Sequence, residues 1–412
     1  MTRPVQNLDQ FEQHLTEWLL DVQRLGELPA QQLDRFVGFF ERAGFELVLC
    51  SSLIRTLHPQ VELFGQRWRQ HDSESIDIDS TGRLIGEQSF TGSSGAIDLY
   101  FIAHGHGSEA MYLNSPFGAA HETQQPVRWR AESNPNQTHY AIFDDLLEKG
   151  ATDYFAMTVS VPPPFDAGIS FATARVDGFP DGFDDLMKKL SPLLGLIFGF
   201  NIERLSLDAI LAAYLGKAPA KRVLGGQMRR GQINQVTSVI GFVNLHGYKE
   251  QVGSMNDAEQ NELLDQFFRQ IYDAITPHQG EILKFIGETV LFVFPFDTEH
   301  GAASCQAALS ASRSLLNASL PEVNGHRFIT QIALHYGEVL SGNIGSELRL
   351  DFTVMGKAVN LTARLHQLLP KLNERLILSA PFASTLPITT RSLGSHQLKG
   401  VHADQEAFSL DR

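Results

Sequence analysis

Cysteine is almost absent from this chain: two residues in 412, Cys50 and Cys305. They stand far apart, which gives no disulfide framework and no metal-ligand spacing. A reducing cytoplasm is the compartment such usage fits. Long apolar runs are missing as well. Residues 1–9 hold no apolar core of signal-peptide length, and nothing downstream approaches the ~18 uninterrupted apolar residues of a membrane span. The greasiest stretch, Leu193-Leu-Gly-Leu-Ile-Phe-Gly-Phe200, is short and runs on into Glu203 and Arg204, as a buried or dimer-forming helix would. Basic charge is in deficit, with 33 Lys and Arg against 47 Asp and Glu for a formal net charge of -14. That balance argues against non-specific nucleic-acid binding, which needs a basic footprint. An anionic ligand must therefore be held locally.

What is present is an ordinary globular composition, 43% hydrophobic and 19% charged, at a length that favours two domains. Phe11, Leu15, Leu19 and Val22 recur at helical spacing, so residues 1–40 read as a helical segment. Short β-rich runs follow, among them Val61-Glu-Leu-Phe64, Ala96-Ile-Asp-Leu-Tyr-Phe-Ile102 and Tyr154-Phe-Ala-Met-Thr-Val-Ser-Val161, and residues 181–213 then read as one long helix or two joined ones. Residues 41–205 are expected to form a helix-bounded antiparallel sheet, and residues 206–232, mixing Gly, Pro and basic side chains, a helical connector. From residue 233 to 412 strands and helices alternate in an α+β order. His104, His106 and His121 match no common metal spacing.

The most informative stretch is Asp351-Phe-Thr-Val-Met-Gly-Lys-Ala-Val-Asn360-Leu-Thr-Ala-Arg364-Leu. It puts an amide and a guanidinium four residues apart on one helix face. An Arg fork there suits a charged phosphoryl group. The stretch resembles the C-terminal motif of class III nucleotidyl cyclases. Three upstream segments resemble the rest of that pattern, in order: Val239-Ile-Gly-Phe-Val-Asn244-Leu-His-Gly247-Tyr, Lys284-Phe-Ile-Gly287-Glu288-Thr-Val-Leu-Phe-Val-Phe294 and His335-Tyr-Gly337. The order of residues 148–155 and 169–173 is similar to GAF-like sensory domains attached to bacterial cyclases.

The resemblance implies a ferredoxin-like βαββαβ catalytic domain preceded by an α+β GAF-like domain. It implies an adenylate cyclase acting as a head-to-tail homodimer, turning ATP into 3′,5′-cyclic AMP and pyrophosphate. It further implies Mg²⁺ or Mn²⁺ held by two aspartates, but Asn244 and Glu288 stand in their places. Glu is still a hard anionic ligand, longer by about 1–1.5 Å, while Asn offers a neutral carbonyl oxygen, so weak metal binding and low, Mn²⁺-dependent activity are expected. By the same resemblance Lys284 and Thr353 read adenine, Asn360 orients the ribose and Arg364 stabilises transition-state charge. The amides of Leu245, His246, Gly247 and Tyr248 would cradle the triphosphate ahead of a helix N-terminus, and Lys399 could reach the outer phosphates. Lys357 stands where the family has Asp or Asn. The alternative reading is a catalytically silent homologue that binds ATP or a protein partner and signals by conformation. The ligand of the N-terminal domain is not specified by any of these residues. A phosphodiesterase or diguanylate cyclase lacks support, since paired metal-ligand histidines and a Gly-Gly-Asp/Glu-Glu-Phe signature are missing.

Overall fold

The structure, a computed structural model, describes residues 7–21, 26–57, 59, 61–70, 84–93, 95–104, 112–132, 138–163, 165–295 and 301–411. The chain divides into two compact units, Met1–Ile210 and Leu211–Arg412.

In the first unit, α1 (Leu8–Leu19) buries Phe11, Leu15, Trp18 and Leu19, the stripe its three- and four-residue spacing dictates. The Asn7 side chain caps it by accepting from the Asp9 amide at 2.9 Å. Helix α2 (Pro29–Arg42) opens on a proline, whose missing N–H is harmless in a first turn. Strands β1 (Leu47–Arg55), β2 (Val61–Arg69), β3 (Leu84–Thr91), β4 (Ala96–Ala103), β5 (Val127–Arg130), β6 (Asp153–Val159) and β7 (Ala167–Thr173) follow, with short helices α3 (Pro116–Thr123) and α4 (Ile142–Glu148) between them. Among the described residues the sheet order is β3-β4-β2-β1-β7-β6-β5, all pairings antiparallel. Phe11, Phe40, Phe45, Phe171 and Phe183 share one buried cluster that ties α1, α2 and α5 (Phe183–Leu215) to the sheet. His104 and His121 face the carboxylates of Glu62 and Asp166 at 4.0 and 3.8 Å; His106 lies outside the described residues. No helix among the described residues is long and apolar enough to cross a membrane.

The division between the units falls inside α5. Residues 217–231, part of the connector expected over 206–232, are docked on the second unit: α6 (Lys217–Leu224) sets the Arg222 guanidinium 5.3 Å from the Phe352 ring centroid, and Asn343 donates to the Gln227 carbonyl at 2.8 Å.

The second unit begins β8 (Ile233–His246), α7 (Tyr248–Gln251), α8 (Asp257–Ile275), β9 (Glu281–Ile286), β10 (Thr289–Pro295), α9 (Gly301–Asn317) and β11 (Ile329–Gly345). Without the single turn α7 this is βαββαβ, and the strands lie β11-β8-β10-β9, all antiparallel, which is the ferredoxin-like arrangement. Then come β12 (Leu350–Met355), α10 (Lys357–His366), α11 (Leu369–Leu372), β13 (Leu376–Ser379), α12 (Ala380–Thr385), β14 (Thr390–His396) and β15 (Gln405–Leu410). Side chains alternate along β8. Val239, Val243 and Leu245 join the core that holds Leu263, Phe267 and Ile271 of α8. Ile240 and Phe242 join Ala358 of α10 on the other face. Asn244, even-numbered like them, therefore points to the α10 side.

Candidate functional site

Two glycines bring α10 to β8. A Cβ on Gly337 would lie 3.0 Å from that of Ala358, so the His335-Tyr-Gly337 stretch is where α10 seats on β11. Gly356, at φ 129, then turns β12 into α10, in a region of φ that glycine adopts without strain. Beside this contact lies a cleft of ≈ 460 Å³ whose lining includes Asn244, Lys249, Glu288, Gln331, His366 and Gln367.

Asn244 and Glu288 are both in the cleft, and each meets a partner from its own chain. The Asn244 Oδ1 lies 3.1 Å from His366 Nε2. Burial pushes the His366 imidazole down to about 4, so it is neutral and Nε2–H donates to the amide oxygen. An aspartate in this place would pull the ring toward the charged form; an asparagine suits a neutral ring. Glu288 is 6% exposed rather than solvated at its hairpin tip, and its Oε1 lies 2.9 Å from Lys249 Nζ. A buried carboxylate needs such a counter-charge. Burial, and after it the same carboxylate, raises the pKa of the Tyr248 phenol.

The expected phosphate turn is less open than its sequence suggested. Leu245 N–H already donates to the Glu288 carbonyl at 3.3 Å. The helix after Gly247, α7, is four residues long, too short for the dipole and free amides that make an anion site.

The remaining expected residues stand apart from the cleft lining. Lys284 on β9 is ion-paired with Asp351 on β12, and Thr353 sits two residues along β12, across from Gly342. Asn360 is exposed on α10, and Arg364 donates to the Gln367 side chain at 3.0 Å. Lys399 is exposed between β14 and β15.

A two-ion centre does not fit these donors. Its two anchoring oxygens are engaged by His366 and Lys249, one anchor is neutral, and no group of three or more His, Cys, Asp or Glu side chains is arranged around a common point among the described residues. Asn244 and Glu288, expected as weak metal ligands, face an imidazole and an ammonium of their own chain in this structure.

Sequence reasoning missed Lys249, His366 and Gln331. Gln331 is directly across from Asn244 in the β11–β8 register, is 4% exposed, and keeps a side-chain oxygen with no partner. Its signal was the even-odd register of two paired strands. That of His366 was its three-residue spacing from Ala363 on the face of α10 that lines the cleft.

Residues 229–410 match the adenylate and guanylate cyclase catalytic domain family. This part of the chain is an adenylyl/guanylyl cyclase-like catalytic domain. Among curated relatives, an uncharacterized protein of Mycobacterium tuberculosis is 30% identical over 227 residues, 52% of this chain and 39% of its own length. A second from the same species is 31% identical over 191 residues, 44% of this chain and 34% of its own. The chain thus spans well under half the length of these relatives. Among solved structures, a bacterial light-regulated adenylyl cyclase is similar at TM-score 0.46 and 20% identity over 66% of this chain and 88% of that one. The adenylyl cyclase CyaB of P. aeruginosa is similar at TM-score 0.38 and 19% identity over 43% of this chain and 94% of that one.

Proposed function

We propose that the chain is a cytoplasmic adenylate-cyclase-like signalling protein whose C-terminal domain binds ATP as a homodimer and has lost most metal-dependent turnover. The observation that carries this reading is the paired replacement in the cleft: Asn244 with a neutral His366, and Glu288 with Lys249. A site that had merely decayed would leave a buried carboxylate and a buried amide without partners, at about 1–3 kcal/mol for each orphaned polar group. Here Asn244 and Glu288 are both answered, and the Gln331 side-chain oxygen alone of these is not, which supports a cleft held in a different electrostatic state.

Homodimerisation is supported by apolar side chains left exposed beside the Lys284–Asp351 pair: Phe285 at 55%, Ile286 at 50% and Leu350 at 40%. ATP is favoured over GTP because Lys284 donates where a guanine reader would accept. In the dimer, Asn360 and Arg364 of one protomer would face ribose and phosphate held by its partner. The first unit is read as a GAF-like sensory domain on its helix-bounded antiparallel sheet, and one buried free thiol in each unit, Cys50 and Cys305, fits a reducing compartment.

A second reading, a slow adenylate cyclase, is favoured by one feature: Asn360 and Arg364 keep their four-residue spacing on α10. The test of the main reading is equilibrium binding of labelled ATP and GTP to the full-length chain, with its mass in solution. Saturable ATP binding by a dimer, poorly competed by GTP, is expected. No ATP binding, or binding by a monomer alone, would overturn it.

A further inference from the structure

We infer that Lys249 sets the metal response of this cleft: its ammonium is the cation Glu288 holds in place of a divalent ion, and it keeps such ions weakly bound. The inference rests on reading the cleft as part of an ATP-binding cyclase-like domain.

The geometry is specific. Glu288 is fixed by the β9–β10 turn, where Gly287 at φ 62 opens a two-residue hairpin. Its carboxylate is 8% exposed, whereas the Lys249 side chain is 75% exposed and reaches in from α7 to 2.9 Å. The pair is exposed on its lysine side alone, so the contact answers a buried carboxylate and at the same time sets an ammonium in the cleft. What the contact does is neutralise the one buried carboxylate that lines the cleft.

A divalent ion arriving at Glu288 has to displace that ammonium. The other carboxylate of the lining, on Glu250, is exposed, and the side-chain oxygens of Asn244 and Gln331 belong to neutral amides, so Mg²⁺ or Mn²⁺ gains little inside the cleft while a fixed positive charge remains in contact with Glu288. Lys249 thus acts as a tethered competitor. Removing its charge while leaving Glu288 in place frees an anionic ligand, at the cost of a buried carboxylate that a divalent ion can then answer.

The test uses Mn²⁺ alone, titrated into the full-length protein and followed by loss of the free-ion electron paramagnetic resonance signal. Lys249→Met should tighten the Mn²⁺ Kd about tenfold, equivalent to ~1.4 kcal/mol of lost competition. Lys249→Arg, which keeps the charge, should bind as weakly as the natural chain. Adding Glu288→Gln to Lys249→Met should abolish the gain. Unchanged Mn²⁺ binding in Lys249→Met, or a gain that survives the loss of Glu288, would overturn the inference. Labelled ATP, measured on the same samples in chelator, separates the two ideas: absent ATP binding would sink the proposed function, while the Mn²⁺ titrations would still decide the role of Lys249. Thermal melts establish that each variant is folded.

Discussion

On the side of the cleft formed by β8 and the β9–β10 hairpin, Asn244 and Glu288 are answered by His366 and Lys249 of the same chain. On α10, outside the cleft lining, Asn360 is exposed and Arg364 donates to the neighbouring Gln367. The first side is internally neutralised, and the second keeps groups able to meet a ligand. In the proposed function, chemistry that needs divalent ions would depend on the first side, and nucleotide orientation and charge stabilisation on the second. The contrast teaches that the two capacities are separable within one domain, because they use different side chains and different kinds of charge, even where His366 shares α10 with Asn360 and Arg364.

The comparison breaks most visibly at Arg364. Arg364→Ala should lower whatever cyclic AMP the dimer makes by roughly 10²–10³, the usual loss for a donor to transition-state charge. Asn244→Ala should cost less than about tenfold, since a neutralised group has little left to contribute. Equal losses in a product assay would erase the distinction between the sides.

Acid should act on the neutralised region. His335, buried beside Ser379 at 2.8 Å, and His366 are both held down to about 4 from an ordinary 6.5. Below 6.5 the unfolded chain takes up protons that the folded one refuses. The stability of the second unit is therefore full above pH 6.5 and falls as pH drops toward 4, by up to about 3 kcal/mol per histidine. Denaturant melts at pH 7 and pH 5 check this, and no loss on acidification would mean the rings are already charged. Asn244→Asp sharpens the same point. It should raise the His366 pKa by roughly 1–3 units, read by NMR titration, and an unmoved pKa would show that the two side chains do not interact. The smallest effect expected is at Lys284, where Lys284→Glu should shift the ATP-to-GTP binding ratio about tenfold toward GTP.

Much of this fold was legible in the sequence, and the reasons are local. The amphipathic spacing of Leu263, Phe267 and Ile271 marked α8, and Gly287 between apolar runs marked the hairpin. The long helix expected over residues 181–213 is α5, Phe183–Leu215. The β12 strand was not separated from the motif that contains it, because Leu350–Met355 pairs only with a β11 far longer than its apolar run suggested. Asn244 and Glu288 were readable as substitutions in a motif, but their partners were not. Lys249 and His366 lie outside the motif positions, and the contacts depend on a turn and a helix face that only tertiary packing brings together. The docking of residues 217–231 on the second unit was hidden for the same reason: Gly, Pro and basic residues signal a boundary, whereas the Asn343–Gln227 bond is non-local.

The central claim is that the metal side of this domain is closed by its own side chains while nucleotide binding persists. Cyclic AMP formation from ATP by the full-length dimer, with Mg²⁺ and with Mn²⁺ and Arg364→Ala alongside, tests it most directly in a preparation shown to bind ATP. The account predicts bound ATP with at most a trace of product, and that trace only with Mn²⁺. Mg²⁺-dependent turnover in the ordinary enzymatic range of about 1–10³ s⁻¹, abolished by Arg364→Ala, would contradict it.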